Sequence, residues 1–198
     1  MKMVEIVTIV DRMNRIVGSA PRSRMRSQRL THRATYLLVI SHSGELLVQK
    51  RTLTKDVYPG FYDPATGGVV LKDESYESGA LRELKEELGI VGVPIESHGD
   101  FFFEDQFCSV WGRVFSCRHS GPFVLQVEEV AAGEFMHFED VFRRAAEEPF
   151  TPDSLEAVRL YCRLRLTHTG GCGECEDSGV AKRNPNPSGS VRMKSLNP

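Results

Sequence analysis

Short apolar stretches separated by polar turns run along the chain, and their spacing predicts a mixture of strands and helices. Residues 5–10 form a strand candidate, and a polar turn at 11–14 leads to a second apolar piece at 16–18, the arrangement of a hairpin. Residues 19–29 hold Pro21 and then helix-compatible, basic residues, which predicts a short helix. Two apolar runs, 34–40 and 45–49, flank Ser41-His42-Ser43-Gly44, a second hairpin with Gly44 in the turn. Residues 75–88 have helical spacing: Ala80, Leu81, Leu84 and Leu88 share a stripe, and Gly89 is a natural stop. Strand candidates follow at 99–103, 107–116 and 133–138, then helix candidates at 138–147 and 152–166. Hairpins mixed with helices, without repeated strand-helix-strand units, predict an α/β fold with a mixed sheet packed between helices.

Three segments follow from this pattern. Residues 1–30 hold an N-terminal hairpin and basic helix, 31–166 form the main domain, and 167–198, rich in Gly, Ser, Asn and Pro, read as a flexible tail. A formal net charge of -2 gives no global pull toward nucleic acid or membrane, and no apolar run approaches the length of a membrane span. Locally, no acid lies between Asp11 and Glu45, whereas Arg15, Arg22, Arg24, Arg26, Arg29 and Arg33 do; solvated surface arginines are the plainer reading and a phosphate-binding face the sharper one. Five cysteines, odd in number and irregularly spaced, fit free thiols in a reducing, cytoplasmic compartment. Cys172 and Cys175, with Cys162 and His168 upstream, make a lone Cys-x-x-Cys, too little for a zinc site.

The chemistry gathers on the helix at 75–88. Glu83 lies three and four residues before Glu86 and Glu87, so three carboxylates share one patch. Alone they repel; a hard divalent cation such as Mg²⁺ or Mn²⁺ relieves that repulsion and ties the patch to phosphate ligands. Gly68, five residues, Glu74, seven residues, then Arg82-Glu83-Leu84-Lys85-Glu86-Glu87-Leu88-Gly89-Ile90 carries seven fixed residues and two aliphatic positions of the Nudix box with no departure. At average residue usage, chance agreement is on the order of one in ten million.

The chain therefore resembles the Nudix hydrolase superfamily. That resemblance implies an α/β/α sandwich and hydrolysis of a diphosphate linkage in a small molecule, by default a nucleoside diphosphate joined to another moiety. It implies Mg²⁺ held by Glu83, Glu86, Glu87 and the carbonyl of Gly67, with Gly68, Glu74, Arg82 and Gly89 as the structural frame. The base that deprotonates the attacking water stays open between Glu86 or Glu87 and, outside the helix, Glu104, Glu128 or Glu129. Residues 46–60 are also similar to isopentenyl diphosphate isomerase, a member of the same superfamily, where residues matching Arg51 and Lys55 contact the diphosphate. His32 and Glu104 fall at site positions of that enzyme. Its catalytic Cys-Gly-His-Pro turn, however, reads Gly67-Gly68-Val69-Val70 here, and its distal glutamate is Gln106. An isomerase or a non-catalytic ligand-binding module is thus the alternative to hydrolysis. A homodimer stays open. Tyr58 and Phe61 are candidate stacking residues, whereas Phe101, Phe102, Phe103, Phe107 and Trp111 are expected in the core.

Overall fold

The computed structural model describes residues 4–169. In chain order the elements are β1 Ile6–Val10, β2 Ile16–Pro21, α1 Arg22–Ser27, β3 His32–Ile40, β4 Leu46–Arg51, β5 Tyr62–Asp63, α2 Tyr76–Leu88, β6 Glu96–Glu104, β7 Ser109–Arg118, β8 Val130–Met136, α3 Phe138–Ala145 and α4 Pro152–Thr169. Helix α4 runs beyond the predicted end at 166; the Cys172–Cys175 pair and the rest of the predicted tail lie outside the described residues.

Strand β3 is the axis of the sheet. It is buried almost throughout, and its side chains alternate between two cores as the strand period requires. Tyr36, Leu38 and Ile40 pack with Ala157, Val158 and Tyr161 of α4, while Leu37 and Val39 pack with Ala80, Leu84 and Leu88 of α2. Helices on both faces of one mixed sheet give the expected α/β/α sandwich. β3 runs parallel to β7 along its whole length, from His32 opposite Val110 to Ile40 opposite Arg118, and β6 pairs antiparallel with β7.

Two sequence expectations need correction. The hairpin predicted at 34–49 closes only at its tip, where Ile40 faces Leu46; β4 then leaves β3 and pairs with β8. The gap admits residues 66–70. Leu37 and Thr66 exchange two backbone hydrogen bonds at 2.7 and 2.9 Å, Thr35 N–H donates to Gly68 O at 2.9 Å, and Val70 N–H donates to Arg33 O at 2.9 Å. Second, Phe107 lies outside any strand and is half exposed, because Asp105 Oδ1 accepts its N–H at 2.8 Å and closes a turn there.

Helix α2 begins with a reciprocal cap. Ser75 Oγ accepts from Ser78 N–H at 3.0 Å, and Ser78 Oγ accepts from Ser75 N–H at 3.0 Å, an arrangement worth about 1 kcal/mol. It ends at Gly89, whose φ of 68° is the left-handed cap that its N–H to Lys85 O bond at 3.0 Å requires. Leu84 and Leu88 are fully buried, so the opposite, acidic face of α2 is held against the wedge that carries Gly67 and Gly68.

Candidate active site

Arg82 organises the acidic face of α2. Its Nε and Nη2 donate to the two oxygens of Glu74 at 2.9 and 3.1 Å, its Nη1 donates to Glu83 at 2.7 Å and Glu86 at 3.1 Å, and Nη2 reaches Val69 O at 3.3 Å. Glu74 also accepts the Leu71 N–H at 2.9 Å. Burial pushes the Glu74 carboxyl up, but the Arg82 fork and that amide more than offset it and hold it below its usual value. The frame residues thus tie the loop before α2 to the helix.

Glu83 is nearly enclosed beneath Gly68. A Cβ at Gly68 would stand 2.3 Å from Glu83 Oε1, so glycine there leaves room for the carboxylate. A Cβ at Gly67 would stand 2.0 Å from the backbone oxygen of Thr35, so that glycine is set by the wedge packing against β3. Burial raises the Glu83 carboxyl, opposed by Arg82 and helped by Glu86. Glu87 is more enclosed still, and burial is again the main cause of its upward shift, with Lys55 opposing it and Glu83 and Asp63 adding to it. Lys55 Nζ lies 3.8 Å from Glu87 Oε1 and also pairs with Glu129. Glu86 is the open member, with its side chain 52% exposed.

Among the described residues, no three acidic, histidine or cysteine side chains already converge as a ligand set. Arg82 engages Glu83 and Glu86, and Lys55 faces Glu87. The donors nevertheless fit a hard divalent cation: oxygen ligands on one helix face, two carboxyls raised by burial and by a neighbouring glutamate, and a glycine that clears the space above Glu83.

Beside this face opens a cavity of about 90 Å³ whose lining includes Gly67, Gly68, Arg22, Arg26, Arg51 and Lys55. Arg22 and Arg26 belong to the acid-free stretch and, one turn apart on α1, line the cavity, while also pairing with Glu5 at 2.8 Å and Asp56 at 3.5 Å, respectively. Arg51 is largely occupied as a brace, donating to Asp63 Oδ2 at 2.9 Å, Val57 O at 2.9 Å and Tyr58 O at 3.3 Å, which shapes the 52–60 loop. His32 also lines the cavity, but burial and the nearby Arg26 lower it to about 4, and its Nδ1 pairs with Leu30 O at 3.0 Å, so it is a neutral packing residue. Tyr58 lines the cavity as well, with its hydroxyl on Asp105.

Glu104 does not line this cavity. Its two oxygens accept from Arg12 at 2.6 Å and Arg29 at 2.9 Å, and those hydrogen bonds hold its carboxyl below the usual range. Glu128 contributes a backbone oxygen to Thr52, and only Glu129 reaches the box helix, through Lys55. Sequence reasoning missed Asp63, Asp153 and Tyr36, all on the cavity wall. The i, i+4 spacing of Arg22 and Arg26 was a readable signal; an acid after a helix-starting proline, as at Asp153, carried none.

A family model described as NUDIX domain matches residues 30–160. The chain is 50% identical over 157 residues to the Nudix hydrolase YfcD of Salmonella typhi, covering 79% of this chain and 84% of the relative. It is 43% identical over 157 residues to a Nudix hydrolase of Pseudomonas aeruginosa, covering 79% and 93%. The crystal structure of DR0079 from Deinococcus radiodurans shares the fold, with a TM-score of 0.68 and 24% identity over 78% of this chain and 98% of that one. The MutT protein of Methanosarcina mazei gives a TM-score of 0.59 at 25% identity over 70% of this chain and 95% of its own. Together with an unbroken box whose Arg82 joins the loop to the helix, these matches establish that the chain belongs to the Nudix family and is a Nudix hydrolase.

Proposed function

We propose that this protein cleaves the diphosphate linkage of a small molecule in the presence of Mg²⁺, with Mn²⁺ as a substitute. The substrate class is a nucleoside diphosphate joined to another moiety, or a related small organic diphosphate. The observation that carries the reading is the meeting of two opposite fields: the carboxylates of Glu83, Glu86 and Glu87 on α2, and the cations of Arg22, Arg26 and Lys55 on the adjoining cavity. A diphosphate spans such a boundary, its charge shared between cationic side chains and a carboxylate-held cation.

Glu83, Glu86, Glu87 and the carbonyl of Gly67 would hold the metal. When bound, a divalent ion neutralises phosphate charge and makes an attacking water more acidic. The chain's own residues do the rest. Arg22, Arg26 and Lys55 bind and orient the phosphates; Arg51 holds the loop that carries Lys55. A box glutamate takes the water's proton, and Glu86, the most exposed of the three, is the best candidate. Glu104, fixed between two arginines, suits a positioning role better than that of a base.

The test is release of monophosphate or phosphate from nucleotide sugars, dinucleotides, coenzyme A, nucleoside triphosphates and isopentenyl diphosphate, with Mg²⁺ and with chelator. Turnover of one class that needs metal and is lost in Glu86→Gln and Glu87→Gln is expected. Binding without turnover across the panel would instead mark a binding module, and formation of dimethylallyl from isopentenyl diphosphate an isomerase.

A further inference from the structure

The wall of the cavity beside the box also carries a carboxylate that phosphate binding leaves unexplained. Asp153, in the first turn of α4, lines it together with Tyr36 of β3. Tyr36 OH donates to Asp153 Oδ2 at 2.8 Å, whereas Oδ1 is shielded from solvent and makes no hydrogen bond of good geometry among the described residues, although the backbone N–H groups of Ser154 and of Asp153 itself face the carboxylate. No cation pairs with it there. The other acid on this wall, Asp63, is fully engaged: Arg51 reaches Oδ2 at 2.9 Å, and Thr151 Oγ1 donates to Oδ1 at 3.1 Å. Burial disfavours the Asp153 anion, and Asp63 adds charge repulsion. A carboxylate in such surroundings is costly unless a partner arrives.

We propose that the cavity wall at Asp153 is a recognition subsite for a hydrogen-bond donor on the organic side of the diphosphate, an alcohol or an ammonium group, read by the carboxylate of Asp153. The inference rests on the reading of the site as a diphosphate site and narrows its substrate class. Arg22, Arg26 and Lys55 take the anionic end of the ligand, and Asp153 takes a donor at the other. Tyr36 is a positioning residue: its hydroxyl occupies Oδ2 and leaves Oδ1 for the ligand. The cavity is small, about 90 Å³, which gives size some part in discrimination. A plain alkyl chain would leave the carboxylate buried and unmatched, which is the stronger source of discrimination. Burial, and after it the charge of Asp63, raises the Asp153 carboxyl to about 6, leaving it mostly anionic at neutral pH and able to accept.

Three diphosphate monoesters test this: dimethylallyl diphosphate, its terminally hydroxylated derivative, and 2-aminoethyl diphosphate. Binding is measured by calorimetry in chelator, so that turnover does not intervene, with the full chain and with Asp153→Asn, Asp153→Leu and Tyr36→Phe. The two donor-bearing ligands are expected to bind the unaltered protein at least tenfold more tightly than the alkyl ester. That advantage disappears in Asp153→Leu, and Asp153→Asn keeps it for the alcohol but loses it for the ammonium. Should Asp153→Leu fail to fold, the asparagine variant decides. Equal affinity for the three ligands, no binding of any, or an advantage that survives in the folded variants overturns the proposal. An acid that serves only to start α4 would change stability and leave the order of the ligands untouched. A parallel Mg²⁺ assay separates the two readings: preference without hydrolysis keeps the subsite and removes the hydrolase assignment for these esters, and hydrolysis without preference does the reverse.

Discussion

Gly68 and Glu83 fit together so closely that a single methyl group would come between them: a Cβ on the glycine would lie 2.3 Å from Oε1 of the glutamate. The contact is with the end of a side chain, which can swing aside. Gly68→Ala is therefore expected to displace the carboxylate and lower kcat at least tenfold while the melting temperature barely moves. Gly67→Ala meets the backbone oxygen of Thr35 instead, at 2.0 Å. Backbone cannot swing aside, so this variant is expected to lose about 2–3 kcal/mol of stability. Activity and urea denaturation measured side by side check the contrast; equal effects on both quantities in the two variants would refute it.

Lys55 and Glu87 form a second test. Both side chains are nearly sealed, and Lys55 keeps Glu129 as a partner when Glu87 is neutralised. Glu87→Gln should lower metal-dependent turnover at least a hundredfold without loss of stability in chelator. Lys55→Met leaves the buried Glu87 without its cation and is expected to cost about 2–3 kcal/mol. Thermal unfolding of both variants without metal reads the difference.

The Arg82 fork needs the planar geometry of a guanidinium. Lysine keeps the charge but cannot reach Glu74, Glu83 and Val69 together. Arg82→Lys is expected to cost roughly 1–2 kcal/mol, most of it shared with Glu74→Gln in a double-mutant cycle. Strict additivity of the two variants would remove the lock.

The stability of the protein carries the mark of Asp153. Its folded carboxyl is raised to about 6 from 3.8, so the native state holds its proton more firmly than the unfolded chain does. Stability from this group is therefore full below pH 4, falls as pH rises toward 6, and stays reduced above. Asp153→Asn has no such proton. Relative to the unaltered protein it should gain on the order of 2–3 kcal/mol between pH 4 and pH 7, read by urea unfolding at each pH. A constant difference across that range would be inconsistent with the burial of this carboxyl.

Much of this architecture could be read from side-chain period alone. Of the apolar stripe Ala80, Leu81, Leu84 and Leu88, all but the exposed Leu81 are buried, and the stripe placed α2 with Gly89 at its end. The box residues declared themselves by spacing. What could not be read was the splaying of β3 from β4, because local turn chemistry says nothing about which distant strand competes for the same edge. The cavity's cations were visible as a run of arginines, but not their direction, which depends on α1 packing Met25 inward. Asp153 was invisible because its role depends on Tyr36, a residue more than a hundred positions away that faces it only after the sheet has formed.

The parallel pairing of β3 with β7 also has a consequence for the newborn chain. Because Ile40 finds its parallel partner only at Arg118, a nascent polypeptide carries the complete box helix well before strand β7 has been synthesised. Until then one edge of β3 stands open, and contacts this distant in sequence form slowly. A ribosome stalled before β7 is complete would hold an aggregation-prone fragment, so the box helix is delivered early but finds its finished sheet late.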